Sequence, residues 1–276
     1  MMKKWNLVID VAACTNCNNC AVATQDEFAG NSFPGYSGPG APDVRTLDVD
    51  RHVRGEGAMV DVHYVPRMCN HCDDAPCMKV GGDAISKRDD GIVIIDPEKG
   101  KGRHDLVDAC PYGAIKWNDA EQLPQNWIFD AHLIDQGWTE PRAAHVCPTR
   151  ALRALKLEDA EMSALAQAEG LAVLKPELNT GPRVYYRNLG PALSQFIGGN
   201  VTADGGNVEG ADVRLLRDGK EIAATETDAF GDFRFDQVAN GSAGYSLHAK
   251  RDGQGAGQVD IEGAVETSRV VTVVLN

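Results

Sequence analysis

Eight cysteines carry the chemistry that can be read from this 276-residue sequence. They fall as Cys14-x2-Cys17-x2-Cys20, as Cys69-x2-Cys72-x4-Cys77, and as two remote residues, Cys110 and Cys147, each followed by proline. A triplet of thiolates in so short a stretch suits a cuboidal iron–sulfur cluster. The loop wraps one side, each sulfur reaches a different iron, and a distant cysteine completes the fourth. Proline directly after that distant ligand blocks local helix and fixes the turn that presents the sulfur. Eight cysteines make two complete sets of four, so the spacing predicts two 4Fe-4S clusters on Cys14, Cys17, Cys20, Cys69, Cys72, Cys77, Cys110 and Cys147. Spacing alone leaves open which remote cysteine serves which triplet.

The rival chemistries fit less well. Structural zinc draws two ligands from each of two Cys-x2-Cys pairs, and a triplet would waste a thiolate or strain the tetrahedron. Thiols three residues apart rarely form unstrained disulfides, and no secretory signal precedes them. His71 lies inside the second triplet and His145 stands two residues before Cys147; both read as hydrogen-bond donors or loop fillers rather than as ligands. Asn16, Asn18, Asn19 and Asn70 read equally well as donors to sulfur and as turn formers.

These ligands need short turns and strands to hold them. Trp5 to Val11 reads as a strand feeding the first triplet. Asn31 to Asp43 is a Gly, Pro and Ser-rich loop. Thr46 to His63 alternates enough for two strands flanking Gly55-Glu56-Gly57, and Gly91 to Asp96 is a strand bounded by turn residues. Leu106 to Ala109 is a helical turn ending at Cys110. Glu158 to Gly170 is a helix with Met162, Leu165 and Ala166 on one face. From near Gly198 the texture changes to short alternating strands with Gly and Asp turns. Val208, Ala211, Val213, Leu215, Ile222, Ala224, Phe230 to Phe235, Tyr245 to Ala249 and Val270 to Val274 imply a small β-sandwich. No cysteine follows Cys147, so the sandwich takes no part in the metal chemistry.

Composition narrows the partners. The net charge is −13, spread over both halves of the chain rather than gathered in a tail. Such acidity argues against nucleic acid and anionic membrane surfaces. The aliphatic run Ile92-Val93-Ile94-Ile95 is far too short to span a membrane. Met1-Met2-Lys3-Lys4 is followed only by a short apolar stretch broken by Asn6 and Asp10, so a cytoplasmic protein is expected, with export beside a signal-bearing partner left open.

Several segments resemble a known family: Val8-Ile9-Asp10 before the first triplet, Cys17-Asn18-Asn19-Cys20, Cys69 to Cys77 (CNHCDDAPC), Asp90 to Lys99, Cys110-Pro111-Tyr112-Gly113, Ala131-His132-Leu133, Lys175 to Leu178 and Pro182-Arg183-Val184-Tyr185-Tyr186. The chain resembles the iron–sulfur (beta) subunits of the DMSO-reductase-type molybdopterin oxidoreductases, most nearly the small subunits of the pyrogallol–phloroglucinol transhydroxylase and resorcinol hydroxylase branch. The resemblance covers nearly the whole chain. It implies an α+β protein: a ferredoxin-like iron–sulfur domain with loop insertions over residues 1–190, then an all-β, transthyretin-like or Ig-like sandwich over 191–276. It implies that Cys147 completes the first set (Cys14, Cys17, Cys20) and Cys110 the second (Cys69, Cys72, Cys77).

The resemblance also implies a non-catalytic electron-transfer role beside a large catalytic subunit, in a heterodimer or larger assembly. The partner alone would hold a Mo or W bis-pterin cofactor and act on hydroxylated aromatics. The alternative is a relay or assembly subunit of another molybdopterin oxidoreductase, for formate, nitrate or a sulfur compound. One departure stands out. Relatives of this branch are expected to carry a third cluster, whose ligand positions correspond here to Thr24, Trp127, Asp130 and Ala143.

Overall fold

The computed structural model describes residues 2–276, which divide into two units: residues up to 50 with 64–189, and residues 51–63 with 190–276.

The first unit begins with β1 (Lys4–Asp10), whose Trp5 to Ile9 are all buried. Burial on both faces explains why this strand is apolar at consecutive positions Leu7, Val8 and Ile9 rather than alternating, with only buried Asn6 between them and Trp5. Asp10 caps a single 3-10 turn, Val11–Ala13, by accepting the Ala12 N–H at 3.1 Å. After the first cysteines comes α1 (Asn19–Phe28), a helix that the sequence pattern does not announce. A hairpin follows, β2 (Asp48–Glu56) and β3 (Met59–Arg67), whose residues 51–63 belong to the second unit; β2 runs through Glu56 and the turn falls just beyond the place expected. Next are α2 (Pro76–Gly81), β4 (Ile85–Lys87), β5 (Val93–Ile95), α3 (Asp105–Asp108), β6 (Ile115–Asn118) and β7 (Leu123–Asn126). The unit closes with α4 (Ala131–Asp135), α5 (Arg142–His145), β8 (Leu152–Leu157), α6 (Asp159–Ala168) and β9 (Val184–Arg187).

β1 is the centre of a three-stranded sheet, antiparallel to β8 and parallel to β9. The pairs β4–β5 and β6–β7 are separate antiparallel ribbons. In α6 the expected face is the inner one, with Met162 fully buried, and a Glu158–Glu161 capping box starts the helix.

To residues 51–63 the second unit adds α7 (Gly190–Leu193) and two four-stranded sheets packed face to face. One joins β10 (Gln195–Ala203), β11 (Gly206–Asn207), β14 (Asp232–Val238) and β17 (Arg269–Val274). The other runs in the order β13 (Lys220–Glu226), β12 (Asp212–Arg217), β15 (Tyr245–Arg251), β16 (Gly255–Asp260). Val213, Leu215, Phe233, Phe235, Leu247, Ala249 and Val273 fill the space between them. The expected alternation holds for these residues but not for Ile222, which is half exposed on edge strand β13. β10 and β17 run parallel and close. A Cβ at Gly199 would stand 1.6 Å from the Val271 carbonyl oxygen, which requires glycine there.

Among the described residues no helix is long and apolar enough to cross a membrane.

Candidate metal centres

The two cysteine groups are presented by one local plan used twice. Each triplet ends in the first turn of a short helix, Cys20 in α1 and Cys77 in α2. Each remote cysteine follows a four-residue helix, Cys110 after α3 and Cys147 after α5. α1 packs against α5, and α2 against α3. In the structure Cys147 lies with the first triplet and Cys110 with the second.

Electrostatic coupling between the thiols follows the same grouping. Burial pushes Cys14 up, opposed by the Asn16 N–H, and the neighbouring Cys147 and Cys17 push it further. Burial pushes Cys20 up to about 11, with Cys14, Cys17 and Cys147 adding to it. In the other group, burial drives Cys69 far above the ordinary thiol range, and Cys110, Cys77 and Cys72 act in the same direction. Cys77 is raised to about 11 by burial and then by Cys110 and Cys72. Burial and the neighbouring thiols together disfavour the thiolate form at these positions.

The second quartet lines a cavity of about 400 Å³, its mouth included, with Ala75, Pro76, Val93, Ile95, Tyr112 and Ile115 among its walls. The thiols stand around a volume rather than a point. Among the described residues no three His, Cys, Asp or Glu side chains converge closely enough to hold a single ion. A zinc site would need four ligands within about 2.0–2.3 Å of one centre. All eight thiols are free of disulfides.

Backbone and hydroxyl donors are already directed at sulfur. Ala114 N–H donates to Cys110 Sγ at 3.4 Å. At Cys147, burial is outweighed by hydrogen bonds from the backbone N–H groups of Leu152, Ala151 and Thr149 and from the Thr149 hydroxyl, which together hold the thiol below its ordinary value. The Thr180 hydroxyl approaches Cys72 and shares a 2.6 Å hydrogen bond with the Tyr112 hydroxyl. Donors of this kind stabilise thiolate charge and raise the potential of a bound cluster.

Two of the four asparagines prove to be turn formers, while Asn19 opens α1 and Asn70 lines the cavity of the second quartet. Asn16 and Asn18 take left-handed backbone (φ 56° and 59°), where Asn is tolerated. His71 does not line the cavity. Its Nδ1 accepts the Val93 N–H at 3.0 Å, its ring packs on Trp127 and Phe129, and burial holds it neutral, down to about 3. His145 is exposed and 3.1 Å from Glu140. Thr180 and Lys87 carry no signal in the sequence pattern; only their folded positions bring them to the second quartet.

Thr24, Trp127, Asp130 and Ala143 are all buried within the protein's own packing. Thr24 donates to the Cys20 carbonyl at 2.9 Å. Trp127 stacks at 5.0 Å on Phe129, which in turn lies 5.4 Å from Trp5. Asp130 accepts the Arg142 N–H, and Arg142 also pairs with Glu27, as does His132 at 2.9 Å.

Residues 60–157, which include five of the eight cysteines, match the model of the 4Fe-4S dicluster domain. Over 92% of its length the chain is 41% identical to the small subunit of pyrogallol hydroxytransferase of Pelobacter acidigallici, covering 93% of that protein. It is 30% identical to a dimethyl sulfoxide reductase iron–sulfur subunit of Halobacterium salinarum, over 68% of this chain and 80% of the other. It is 31% identical to a tetrathionate reductase subunit of Salmonella typhimurium, over 69% and 74%. With two cysteine quartets in place and likeness of this extent, the chain belongs to the iron–sulfur electron-transfer subunits of the DMSO-reductase-type molybdopterin oxidoreductases.

Proposed function

We propose that the chain holds one 4Fe-4S cluster on Cys14, Cys17, Cys20 and Cys147 and a second on Cys69, Cys72, Cys77 and Cys110, in a ferredoxin-like domain over residues 1–190. The sandwich, over residues 191–276, stays outside the redox path. The observation that carries this reading is the delivery of one remote cysteine to each triplet by paired helices, α1 with α5 and α2 with α3. The donor set fits the group: four thiols, an otherwise largely apolar cavity at the second quartet, and hydrogen-bond donors already turned toward sulfur. When bound, such clusters supply one-electron transfer, with no bond-making asked of the protein. The protein's residues bind and space them, exclude water and direct dipoles at the sulfurs. Cys17 is exposed, which leaves one edge of the first site open to a docked redox partner.

The partner in this reading is a large catalytic subunit with a Mo or W bis-pterin cofactor, acting on hydroxylated aromatics by hydroxyl transfer or hydroxylation. Its support is the 41% identity to the pyrogallol hydroxytransferase small subunit, which runs through the C-terminal sandwich. A relay to a sulfur-compound reductase is the second reading, favoured by the likeness to the tetrathionate reductase subunit.

Anaerobic purification of the native complex followed by EPR separates them. Cluster signals that change when di- or trihydroxybenzenes are added, and not with tetrathionate, support the first reading. The reverse pattern overturns it.

A further inference from the structure

Lys87 ends β4, and its ammonium is spent on the loop of the second triplet. Nζ donates to the His71 carbonyl at 2.8 Å and the Cys72 carbonyl at 2.7 Å, and it lies 2.8 Å from Asp73 Oδ1. These three partners take all three of its donors. The side chain is only 15% exposed.

Lys87 belongs to a wider charged group on the same side of the loop. Arg183, 4% exposed, reaches Asp73 with Nε (2.9 Å) and Nη2 (2.6 Å), Asp159 with Nη2 (2.8 Å) and Asn6 with Nη1 (3.2 Å). Its own backbone N–H donates to the Asn70 carbonyl at 2.8 Å. Lys4 lies 2.8 Å from Asp159 and 4.0 Å from Asp73. The group holds three cations, Lys4, Lys87 and Arg183, against two carboxylates, Asp73 and Asp159, and so carries one positive charge in excess. Charge in a water-poor site is costly unless opposite charge faces it. Of the second quartet's thiols, Cys72 is the one on which the Lys87 ammonium acts, lowering its pKa against the larger upward push of burial.

We propose that Lys87 sets the reduction potential of the cluster at Cys69, Cys72, Cys77 and Cys110. A reduced cluster carries one more negative charge than an oxidised one, so a fixed ammonium against the loop favours reduction and raises the potential. Asp73 moderates the effect as the counter-charge. Lys87 is not a ligand; it is a positioning residue that acts through charge and through the carbonyls it orders. The inference rests on the cluster assignment proposed above.

The test is an EPR-monitored redox titration of the anaerobically purified complex, with the second cluster's signal identified by its loss in Cys110→Ser. Lys87→Gln removes the charge and keeps a donor. The second cluster's potential is expected to fall by at least 59 mV, a tenfold change in a one-electron equilibrium. Lys87→Arg keeps the charge and should shift it by less than that. Asp73→Asn should move it upward, and the first cluster's potential should stay fixed in all three. An unchanged potential in Lys87→Gln at full iron content overturns the proposal. Should Lys87→Gln lose its iron, an unchanged or lowered potential in Asp73→Asn overturns it instead. Absence of cluster signals from the unsubstituted complex would instead overturn the cluster assignment, an outcome distinct from these.

Discussion

The backbone N–H of Arg142 lies 2.7 Å from Oδ2 of Asp130, tying the start of α5 to the residue that precedes α4. Asp130 is fully buried, its other carboxylate oxygen has no partner, and burial pushes its pKa up to about 6 against the Arg142 hydrogen bond. An acid whose folded value is raised adds stability that is complete below about pH 4 and is lost as pH climbs through 6. A rise of this size is worth up to roughly 3 kcal/mol. Asp130→Asn imitates the protonated side chain. It should therefore gain on the unsubstituted protein in apparent thermal midpoint at pH 8, keep about half of that gain near pH 5 and little of it near pH 4. An equal gap at both pH values would contradict the account.

How much of this was legible in sequence depended on whether the signal was local. The cysteine groups, β1, α6 and the sandwich core were readable because each is written as spacing or periodicity. α1 was not. Its residues NCAVATQDEF form no apolar stripe, because the helix is held by the cysteine loop and by α5 rather than by one greasy face. Spacing records nothing of how Cys110 and Cys147 pair with the triplets; the family resemblance implies it, and the packing of α1 on α5 and of α2 on α3 accompanies it. Lys87 and Thr180 lie 15 and 108 positions from Cys72, so only tertiary structure makes them neighbours of that thiol.

The repeated plan predicts that the two remote cysteines fail separately. Cys147→Ser should lose or degrade the cluster of the first triplet and spare the second, while Cys110→Ser should do the reverse. Iron content should fall from about eight toward about four per chain in each, with complementary EPR spectra surviving. Identical residual spectra in the two variants would show that the pairing is wrong.

The second unit has its own electrostatic anchor. Arg54, almost wholly buried, donates to Asp61 at 2.8 and 3.0 Å, to Asp236 at 3.0 Å and to the Ser194 carbonyl at 3.1 Å. Breaking such a group costs roughly 3–5 kcal/mol when fully buried, and about 2 kcal/mol here because both carboxylates still touch water. Arg54→Met should lower the unit's unfolding midpoint accordingly, as read by chemical denaturation. A change below about 0.5 kcal/mol, the range of ordinary surface substitutions, would contradict this role.

Acid sensitivity follows from the same site. Burial works against the Asp61 charge, but hydrogen bonds from Arg54 and Arg234 outweigh it and hold the carboxyl at about 2. A lowered carboxylate adds stability that is present above about pH 4 and lost as pH falls toward 2. Circular dichroism of the sandwich strands during acid titration should show unfolding in that window, with a shallower dependence in Asp61→Asn. The same slope in both proteins would remove Asp61 from the explanation.

The central claim is that this chain holds two four-iron clusters and no third, the buried Thr24, Trp127, Asp130 and Ala143 offering no thiol for one. Iron and acid-labile sulfide measured per chain on anaerobically purified complex, with the partner's own metal content subtracted, tests it most directly. The account predicts about eight of each. About twelve of each, or zinc in place of iron and sulfide, would contradict it.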